Sequence, residues 1–414
     1  MEDLVACVGW DWADREHQVC LREAGRTRME RQTVQGTAEA IRDWANAMMC
    51  RFHGMPVGVF IETSRGPVIH ALMGYPFLVI YPINPQSAAC FRQAFHPSGK
   101  KDDPVDSEEL LEMGEKHRDK LRPLRPSDPA TRLLGLLSEH RRKLVDQLTA
   151  TTNCLRDNLK GYFPQALKLL GDLNTPMACA FLRRWPSLQA LRRAPVGKLN
   201  EFYHRHGSRS ETLIVERLKL LREAVPLTQD EAIMGASLAT TESLVSLIAV
   251  LLDAIRKVEQ RIEPIYQSHP DFAIVDSFPG LGPALGPRVI AIMGGAGEQF
   301  TSASDIQRLT GVAPVTVRSG TMIHIQRRVR RSHFLNQTVI EWAGLSIQSS
   351  LWAKALYDQR IAAGSNHWTI TRLLAFKWLR ILWACWQTRT PYSEATYLEA
   401  LTKHGSPLRA KIAA

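Results

Sequence analysis

The sequence predicts an α/β domain at the N-terminus, followed by long helices and then by a mainly helical region. Short apolar runs alternate with helical patterns up to about residue 125. Beyond residue 128, leucines recur with helical periods, and six of the ten tryptophans fall between 342 and 386. Because 414 residues exceed one typical domain, we expect three regions, at 1–125, 126–270 and 271–414.

The balance of charges indicates a polyanionic partner. The chain carries 52 Lys and Arg against 41 Asp and Glu, a net charge of +11, which favours nucleic acid or a membrane surface. Its hydrophobic share of 45% is enough to bury sizeable cores. The seven cysteines show no CxxC or Cys/His spacing, so neither a disulfide framework nor a zinc site is expected. The most apolar run, at 244–252, is too short to span a bilayer, and we expect a cytoplasmic protein.

The N-terminal region alternates strand and helix patterns. The segments "HQVCLRE" and "RMERQTV" flank the turn "AGRT" and predict a hairpin. Apolar runs predict further strands at 4–12, 57–62 and 77–83, and helical patterns occupy 37–52, 67–74 and the stretch from about residue 104. A hairpin followed by alternating helix and strand gives a mixed sheet, which is the order of the RNase H-like or RuvC-like fold.

Four acids of this region stand at the ends of predicted strands or at the start of a predicted helix. Asp11 and Glu62 end their strands, and Asp103 and Asp106 stand three apart in "KKDDPVDSEEL". One interpretation of that segment is a helix start. Asp103 would be the N-cap, Pro104 the first helical residue and Asp106 the third position of a capping box.

The other interpretation is a metal site. Residues three apart share one face of a helix, so the Asp103 and Asp106 carboxylates could bind one ion together. Together with Asp11 and Glu62 they could hold two Mg²⁺ ions that assist in-line displacement at phosphorus. Lys100 and Lys101 would then neutralise the substrate backbone. The four acids in a strongly basic chain favour this interpretation.

The middle region predicts two long helices. The first carries an 11-residue leucine period, at Leu133, Leu137, Leu144, Leu148, Leu155 and Leu159. The second carries a heptad seam ended by Pro264 and Pro270, at Leu244, Ile248, Leu251, Ile255, Val258, Ile262 and Ile265. These helices could pair as an antiparallel arm or dimerise between chains. The basic segment between them, 165–235, is expected to be helical, with no assigned chemistry.

The last region combines a glycine-rich turn, a basic hairpin and an apolar helix. "FPGLGP" precedes an apolar helix and resembles a helix–hairpin–helix turn that offers N–H groups to phosphate, although a plain turn fits equally. "VRSGTMIHIQRRVRRSH" (317–333) predicts a basic hairpin or loop, either a phosphate-binding element or a solvated face. The segment "WTITRLLAFKWLRILWACWQ" predicts a buried helix rather than a base-stacking surface.

Several of these segments in this order resemble one family. "GWDWADREHQVCL", "FIETS", "INPQSAACFRQAFHPSGKKDDPVDSEEL", "FPGLGP", "LTGVAPVTVRSG" and "LLAFKWLRILWACWQTRTPY" are similar to the DEDD-type insertion-sequence transposases, the bridge-RNA-guided recombinases of bacterial mobile elements. The likeness runs from residue 4 to about 395 and is weakest across 165–235.

The resemblance implies a RuvC-like domain, a coiled-coil linker and a C-terminal transposase domain with a nucleophilic serine. It assigns the acidic tetrad to Asp11, Glu62, Asp103 and Asp106, with Asp102 as the rival for the third position. It assigns the nucleophile, which forms a covalent phosphoserine link to DNA, to Ser319. The implied partners are Mg²⁺, target and donor DNA and a non-coding bridge RNA. The implied assembly is a homo-oligomer, a dimer that becomes a tetramer on DNA, associated with the bacterial nucleoid.

The residues around Ser319 are chemically consistent with that role. A serine hydroxyl needs a base, a metal or positive charge to become a good nucleophile. Nearby arginines could also stabilise charge on the phosphate, namely Arg318, Arg327, Arg328, Arg330 and Arg331. Two alternatives stay open. One is a RuvC-like nuclease in which water attacks, and the other is a nucleic-acid-binding scaffold whose acids are only helix caps.

Overall fold

The computed structural model describes residues 3–95, 103–208, 210–294, 300–406 and 408, with the backbone alone at Asp103 and Pro104. The chain divides into two compact units, 1–127 and 128–414. Each unit has its own buried core, and each is described separately below.

The first unit is a mixed five-stranded sheet between two helical layers. Its spatial order is β3-β2-β1-β4-β5, and its strands are β1 (Ala6–Asp11), β2 (Glu16–Glu23), β3 (Glu30–Gln35), β4 (Val57–Ile61) and β5 (Leu78–Pro82). Strands β1, β2 and β3 pair antiparallel, whereas β4 runs parallel to β1 and to β5. The predicted hairpin and the mixed sheet are thereby confirmed.

The helices of the first unit cover both faces of the sheet. They are α1 (Ala38–Phe52), α2 (Pro67–Leu72), α3 (Pro85–Phe95) and α4 (Asp103–Lys116). Trp10 packs with Trp44 of α1 on one face, and Phe60 packs with Leu110 of α4 on the other. The sequence did not predict α3. Helix α4 includes Asp103, and the residues just before it, with the predicted N-cap geometry, lie outside the described residues.

The second unit is almost entirely helical. Its long helices are α5 (Pro129–Tyr162) and α11 (Glu231–Gln267), and between them lie α6 (Gln165–Leu170), α7 (Pro176–Arg184), α8 (Leu188–Arg192), α9 (Val196–Arg205) and α10 (Glu211–Glu223). The chain continues through α12 (Phe272–Asp276), α13 (Gly286–Gly294), α14 (Ala303–Leu309), the hairpin β6 (Val315–Ser319) and β7 (Met322–Gln326), α15 (His333–Ser346), α16 (Leu351–Ala362), α17 (His367–Thr388) and α18 (Glu394–Lys403). The helical character expected for 165–235 is confirmed.

Helices α5 and α11 pair antiparallel within one chain. Arg141 bonds Glu259 at 2.8 Å, and Asn158 bonds the Thr241 hydroxyl at 2.8 Å, so residue numbers fall on one helix as they rise on the other. Of the two arrangements that the sequence left open, the structure has the antiparallel arm. The heptad seam faces inward as predicted, with Ile248 and Ile255 buried.

The start of this arm differs from the predicted leucine period, and its end agrees with the predicted one. Leu133 is exposed and Leu134 is buried in its place, because the 11-residue leucine period is out of phase with the buried face in this first turn. Helix α11 ends at Gln267, between the two prolines, Pro264 and Pro270, that mark the predicted end of the seam. A proline removes one N–H donor and crowds the preceding turn, and here Pro264 stands in the last turn, where buried Tyr266 anchors the helix end.

Helix α11 also passes a length-and-composition test for a membrane span, the single one to do so among the described residues. One side of this helix, with Ile248 and Ile255, is buried against α5 in the same chain, whereas Leu247 and Val250 are exposed. The predicted C-terminal helix is confirmed as α17, which buries Trp378 beside Trp342 and Trp352.

Candidate active site

Asp11 and Glu62 lie side by side where the parallel strands β1 and β4 end. Trp10 is in register with Ile61, and each acid is the next residue in its chain. Trp10 and Ile61 point into the core beneath α1. Because side chains alternate along a strand, the two acids turn to the opposite face, which α3 and α4 cover.

Helix α4 packs directly on this face. A Cβ atom added at Gly9 would lie 1.9 Å from the carbonyl oxygen of Ser107, so only glycine admits the helix backbone at this distance. Gly114 has the same role in α4, since a Cβ there would lie 2.1 Å from the ring of Phe60. These close contacts bring the first turns of α4 to the strand ends that carry the two acids.

Arg92 of α3 joins the acids of this site. Its Nη2 lies 3.1 Å from Asp106 Oδ1 and 4.0 Å from Glu62 Oε1, and its Nε donates to Glu109 Oε2 at 2.8 Å. The Asp106 and Glu109 side chains are 7% and 9% exposed, so these charges are largely removed from water. The guanidinium is therefore the counter-ion of a buried acidic cluster, which we call the Arg92 cluster (Glu62, Arg92, Asp106 and Glu109).

The electrostatics of Arg92 follow from that position. Burial alone would lower its pKa, but the Glu109 hydrogen bond and the charges of Asp106, Glu109 and Glu62 raise the pKa above its ordinary value. Arg92 therefore stays protonated, and its positive charge holds the carboxylates together.

The described side chains, a set that excludes Asp103, contain no three His, Cys, Asp or Glu residues placed to hold a metal ion together. The ligand chemistry nevertheless fits a hard dication, because Asp11, Glu62 and Asp106 offer only carboxylate oxygens, which Mg²⁺ prefers. A cation already lies between Glu62 and Asp106 in the form of the Arg92 guanidinium. The site therefore suits positive charge.

The structure describes the remaining predicted site residues of the N-terminal region only in part. Asp103 lies one helical turn before Asp106 in α4, and its side chain is outside the described residues. Lys100, Lys101 and Asp102 also lie outside the described residues, so their predicted roles stay predictions.

Ser319 lies in the second unit, at the tip of the β6–β7 hairpin. It is the last residue of β6, faces Met322 across the ladder and is exposed. Gly320 follows with φ of +56°, and a glycine at the first loop position is what a type II′ turn requires. Arg318 stands on β6, and the other predicted arginines follow β7, at Arg327, Arg328, Arg330 and Arg331. The predicted basic hairpin is confirmed.

Sequence reasoning missed Arg92, Glu109 and the packing role of Gly9. Glu109 continues the three-residue spacing from Asp103 and Asp106, so the pattern could have included it. Arg92 lies in an unpredicted helix, and no local signal marks it. A glycine inside an otherwise apolar strand is a known sign of close backbone approach, and this signal at Gly9 was available.

Comparison with known proteins gives the same family for both ends of the chain. The IS110 DEDD model, described as "Transposase", matches residues 8–164. The model described as "Transposase IS116/IS110/IS902 family" matches residues 273–358. The first range contains all four predicted acids, and the second contains Ser319 and the arginines that follow it.

Individual relatives agree with these matches. The "Mini-circle putative transposase for IS117" of Streptomyces coelicolor is 28% identical over 402 residues, which cover 95% of this chain and 96% of the relative. A 42 kDa protein of insertion element IS900 from Mycobacterium paratuberculosis is 26% identical over 314 residues, 74% of this chain and 77% of the relative. A 43.6 kDa protein of IS110 from Streptomyces coelicolor is 25% identical over 309 residues, covering 72% and 73%.

Proposed function

Since the chain belongs to the IS110/IS116 family of DEDD transposases, we propose that it moves an insertion element by cutting and rejoining DNA through a phosphoserine intermediate. One observation carries the metal-dependent part of the proposal, and the phosphoserine intermediate rests on the family resemblance. Asp11 and Glu62 end neighbouring parallel strands, and Asp106 lies on the helix that packs against the same face. The strand order of the first unit supports a RuvC-like assignment for this domain.

Asp11, Glu62, Asp103 and Asp106 are the residues that would hold the divalent metal. When bound, Mg²⁺ polarises the scissile phosphate and stabilises the charge that develops on it. The carboxylates would supply the negative charge that a dication needs, beside the guanidinium of Arg92. The positions of Asp11 and Glu62 at neighbouring strand ends, and of Asp106 on the helix that packs against the same face, support this assignment.

Ser319 is the proposed nucleophile. Its Oγ forms a bond to the DNA phosphorus while one P–O bond to a sugar breaks, and the sugar oxygen leaves as a hydroxyl after taking up a proton. A sugar hydroxyl of the second strand then attacks the phosphoserine, and Ser319 regains its proton. Each P–O bond that breaks is replaced by one that forms, and the cut end stays bonded to Ser319 between the two steps, so no free DNA end is released. Arg318 and the arginines after β7 stabilise negative charge on the phosphate.

A non-coding bridge RNA and a homo-oligomer complete the proposal, and both rest on the family resemblance. The RNA pairs with target and donor DNA and sets sequence choice, and the RuvC-like site of one subunit meets Ser319 of another. The RNA that copurifies with the protein would identify the guide. Mixed Asp11→Ala and Ser319→Ala proteins should regain part of the activity if the sites are shared. Mixtures that co-assemble and stay inactive would contradict a shared site.

The nucleophile has a direct test. Incubation with suicide DNA should leave an adduct on the peptide that contains residue 319, and Ser319→Ala should form none. An adduct that persists in Ser319→Ala would end the assignment. The second candidate function is a RuvC-like nuclease in which water attacks, favoured by the ordinary Ser–Gly turn geometry at this hairpin. It predicts cleaved DNA with no adduct on the wild-type protein.

A further inference from the structure

The β6–β7 hairpin carries apolar side chains that the chain leaves exposed. We call residues 315–326 the ribbon. Met322, Ile323 and Ile325 are 74%, 58% and 65% exposed, and Val317 is 44% exposed. A two-stranded hairpin on its own is at best marginally stable in water, and soluble proteins rarely expose adjoining apolar groups without a use for them.

Both faces of the ribbon share this property. Arg318 pairs with Ile323 and Thr316 with Ile325 on one face, while Val317 pairs with His324 on the other. Cross-strand partners lie side by side on the same face. The first face therefore combines two exposed isoleucines with a guanidinium, which suits a partner that is both anionic and partly apolar.

A group of like charges lies beside the ribbon. Burial and the charges of Arg327 and Arg331 lower the pKa of Arg372 of α17, so the three guanidiniums are close enough to act on one another. Burial and Arg327 likewise lower the pKa of Arg331. We call Arg327, Arg331 and Arg372 the arginine cluster.

The sequence supplies no acid close along the chain to balance this cluster. Asp and Glu are absent from residues 306–340 and again from 359–393, which together contain all three arginines. The Arg331 side chain packs against Gly311, where an added Cβ would lie 2.4 Å from its Cδ, and its Nη1 donates to the carbonyl oxygen of Arg328. Three neighbouring guanidiniums, one of them packed against Gly311, present several charged hydrogen-bond donors of the kind that bind anions.

We propose that the ribbon and the arginine cluster form one duplex-DNA-binding surface, in which the cluster binds a backbone phosphate and the Ile323–Ile325 face enters the adjacent groove. The major groove of B-form DNA admits a two-stranded β-ribbon, and its thymine methyl groups accept apolar contacts. The proposal rests on the proposed function in that its substrate is DNA. It adds Arg372 and the two isoleucines, which no sequence pattern singled out.

The phosphate part is tested by the salt dependence of binding. The full-length protein is titrated with a fluorescent DNA duplex over a series of salt concentrations, and Arg372→Gln is compared with Arg380→Gln, an exposed arginine on the same helix. The slope of log K against log salt is negative, and loss of one phosphate contact in Arg372→Gln should make it less steep by about 0.9. Arg380→Gln should change the slope much less, and Arg372→Lys should keep the wild-type slope. Equal slopes for Arg372→Gln and Arg380→Gln would overturn the phosphate site.

The groove part is tested with Ile323→Thr and Ile325→Thr, which keep β-branching and remove apolar surface. The double variant should bind duplex DNA about tenfold more weakly, from the apolar area that no longer leaves water. Its salt slope should be unchanged, because no charge is lost. The affinity for an RNA duplex should be the same in the double variant as in the wild type, since the deep, narrow major groove of RNA excludes side chains. Unchanged DNA affinity, or a loss confined to RNA, would overturn groove insertion.

These measurements separate the binding surface from the chemistry. Binding to intact duplex requires no cleavage, so a failed Ser319 adduct would leave these results standing. Conversely, an adduct on Ser319 together with unaltered binding in all variants would retain the proposed function and reject the surface.

Discussion

The acidic site and the basic ribbon each concentrate charges of one sign, and they differ in the groups that surround those charges. In the Arg92 cluster, three carboxylates surround one guanidinium within hydrogen-bonding or near ion-pair distance, and two of them are almost fully buried. In the ribbon and arginine cluster, cations face one another along acid-free stretches, and the neighbouring apolar groups are exposed. Folding organises the region that contains its own counter-ion, whereas we propose that the ribbon and the arginine cluster bind an external anion.

The largest effect should come from removing a carboxylate from the acidic site. Asp106→Ala should lower strand exchange by about 10³-fold or more, because a metal site contributes several kcal/mol to the transition state. Strand-exchange assays with Asp11→Ala, Glu62→Ala and Asp103→Ala should give losses of the same order. Asp102→Ala is the matched control and should lose much less. An inactive Asp102→Ala with an active Asp103→Ala would show that the register of the third acid is wrong.

The next largest effect should come from the packing beneath the acids. Gly9→Ala should destabilise the first unit by about 3 kcal/mol, because the new Cβ would overlap the Ser107 carbonyl and force α4 away from β1. Denaturant unfolding measures the loss. Gly161→Ala, in open space on α5, should instead stabilise its helix by roughly 0.5–1 kcal/mol. A Gly9→Ala protein with wild-type stability would disprove the close packing of α4.

A smaller effect on stability should distinguish Arg92, the counter-ion of the Arg92 cluster, from an arginine in an ordinary ion pair. Arg92→Gln should lower stability by about 2 kcal/mol without metal, because Asp106 and Glu109 lose a charged hydrogen-bond partner. Added Mg²⁺ should then raise its melting temperature more than that of the wild type, and calorimetry should show tighter Mg²⁺ binding, since a competing cation is gone.

The control for this experiment is Arg51→Gln. Arg51 also bonds two carboxylates, Glu23 and Glu30, at 2.7 and 2.6 Å, but on the surface of the sheet away from the site. Its loss should reduce stability equally with and without Mg²⁺. If both variants respond to Mg²⁺ alike, the Arg92 cluster is not the metal-binding site.

The smallest effect should appear in the ribbon. Ile323→Thr and Ile325→Thr should each change the free energy of unfolding by less than about 0.5 kcal/mol, because neither side chain packs into a core. Thermal unfolding of the free protein provides the measurement. A loss of more than about 1 kcal/mol would mean that the ribbon is held by the chain itself, and the contrast with the acidic site would disappear.

Local patterns predicted most of the elements and the residues that end them. The apolar runs that became β1 and β4 are recognisable by composition, and their terminal acids Asp11 and Glu62 are visible as interruptions. The buried face of α11 was predicted correctly from its heptad seam, because a helix face that is buried along its length carries apolar residues at a regular spacing. The same method failed at Leu133, where one residue decides which side of the helix is buried.

By itself, the sequence determined the α/β order of the first unit, the long helices, the basic hairpin and the family of the chain. These features depend on periodicity, turn residues and short motifs, which are properties of neighbouring positions. Only the tertiary structure decided that Arg92 lies among the acids, that α5 and α11 pair within one chain, and that Arg372 joins Arg327 and Arg331. Each of these brings together elements far apart in the chain, and their contacts are set by how whole faces pack, which no local pattern encodes.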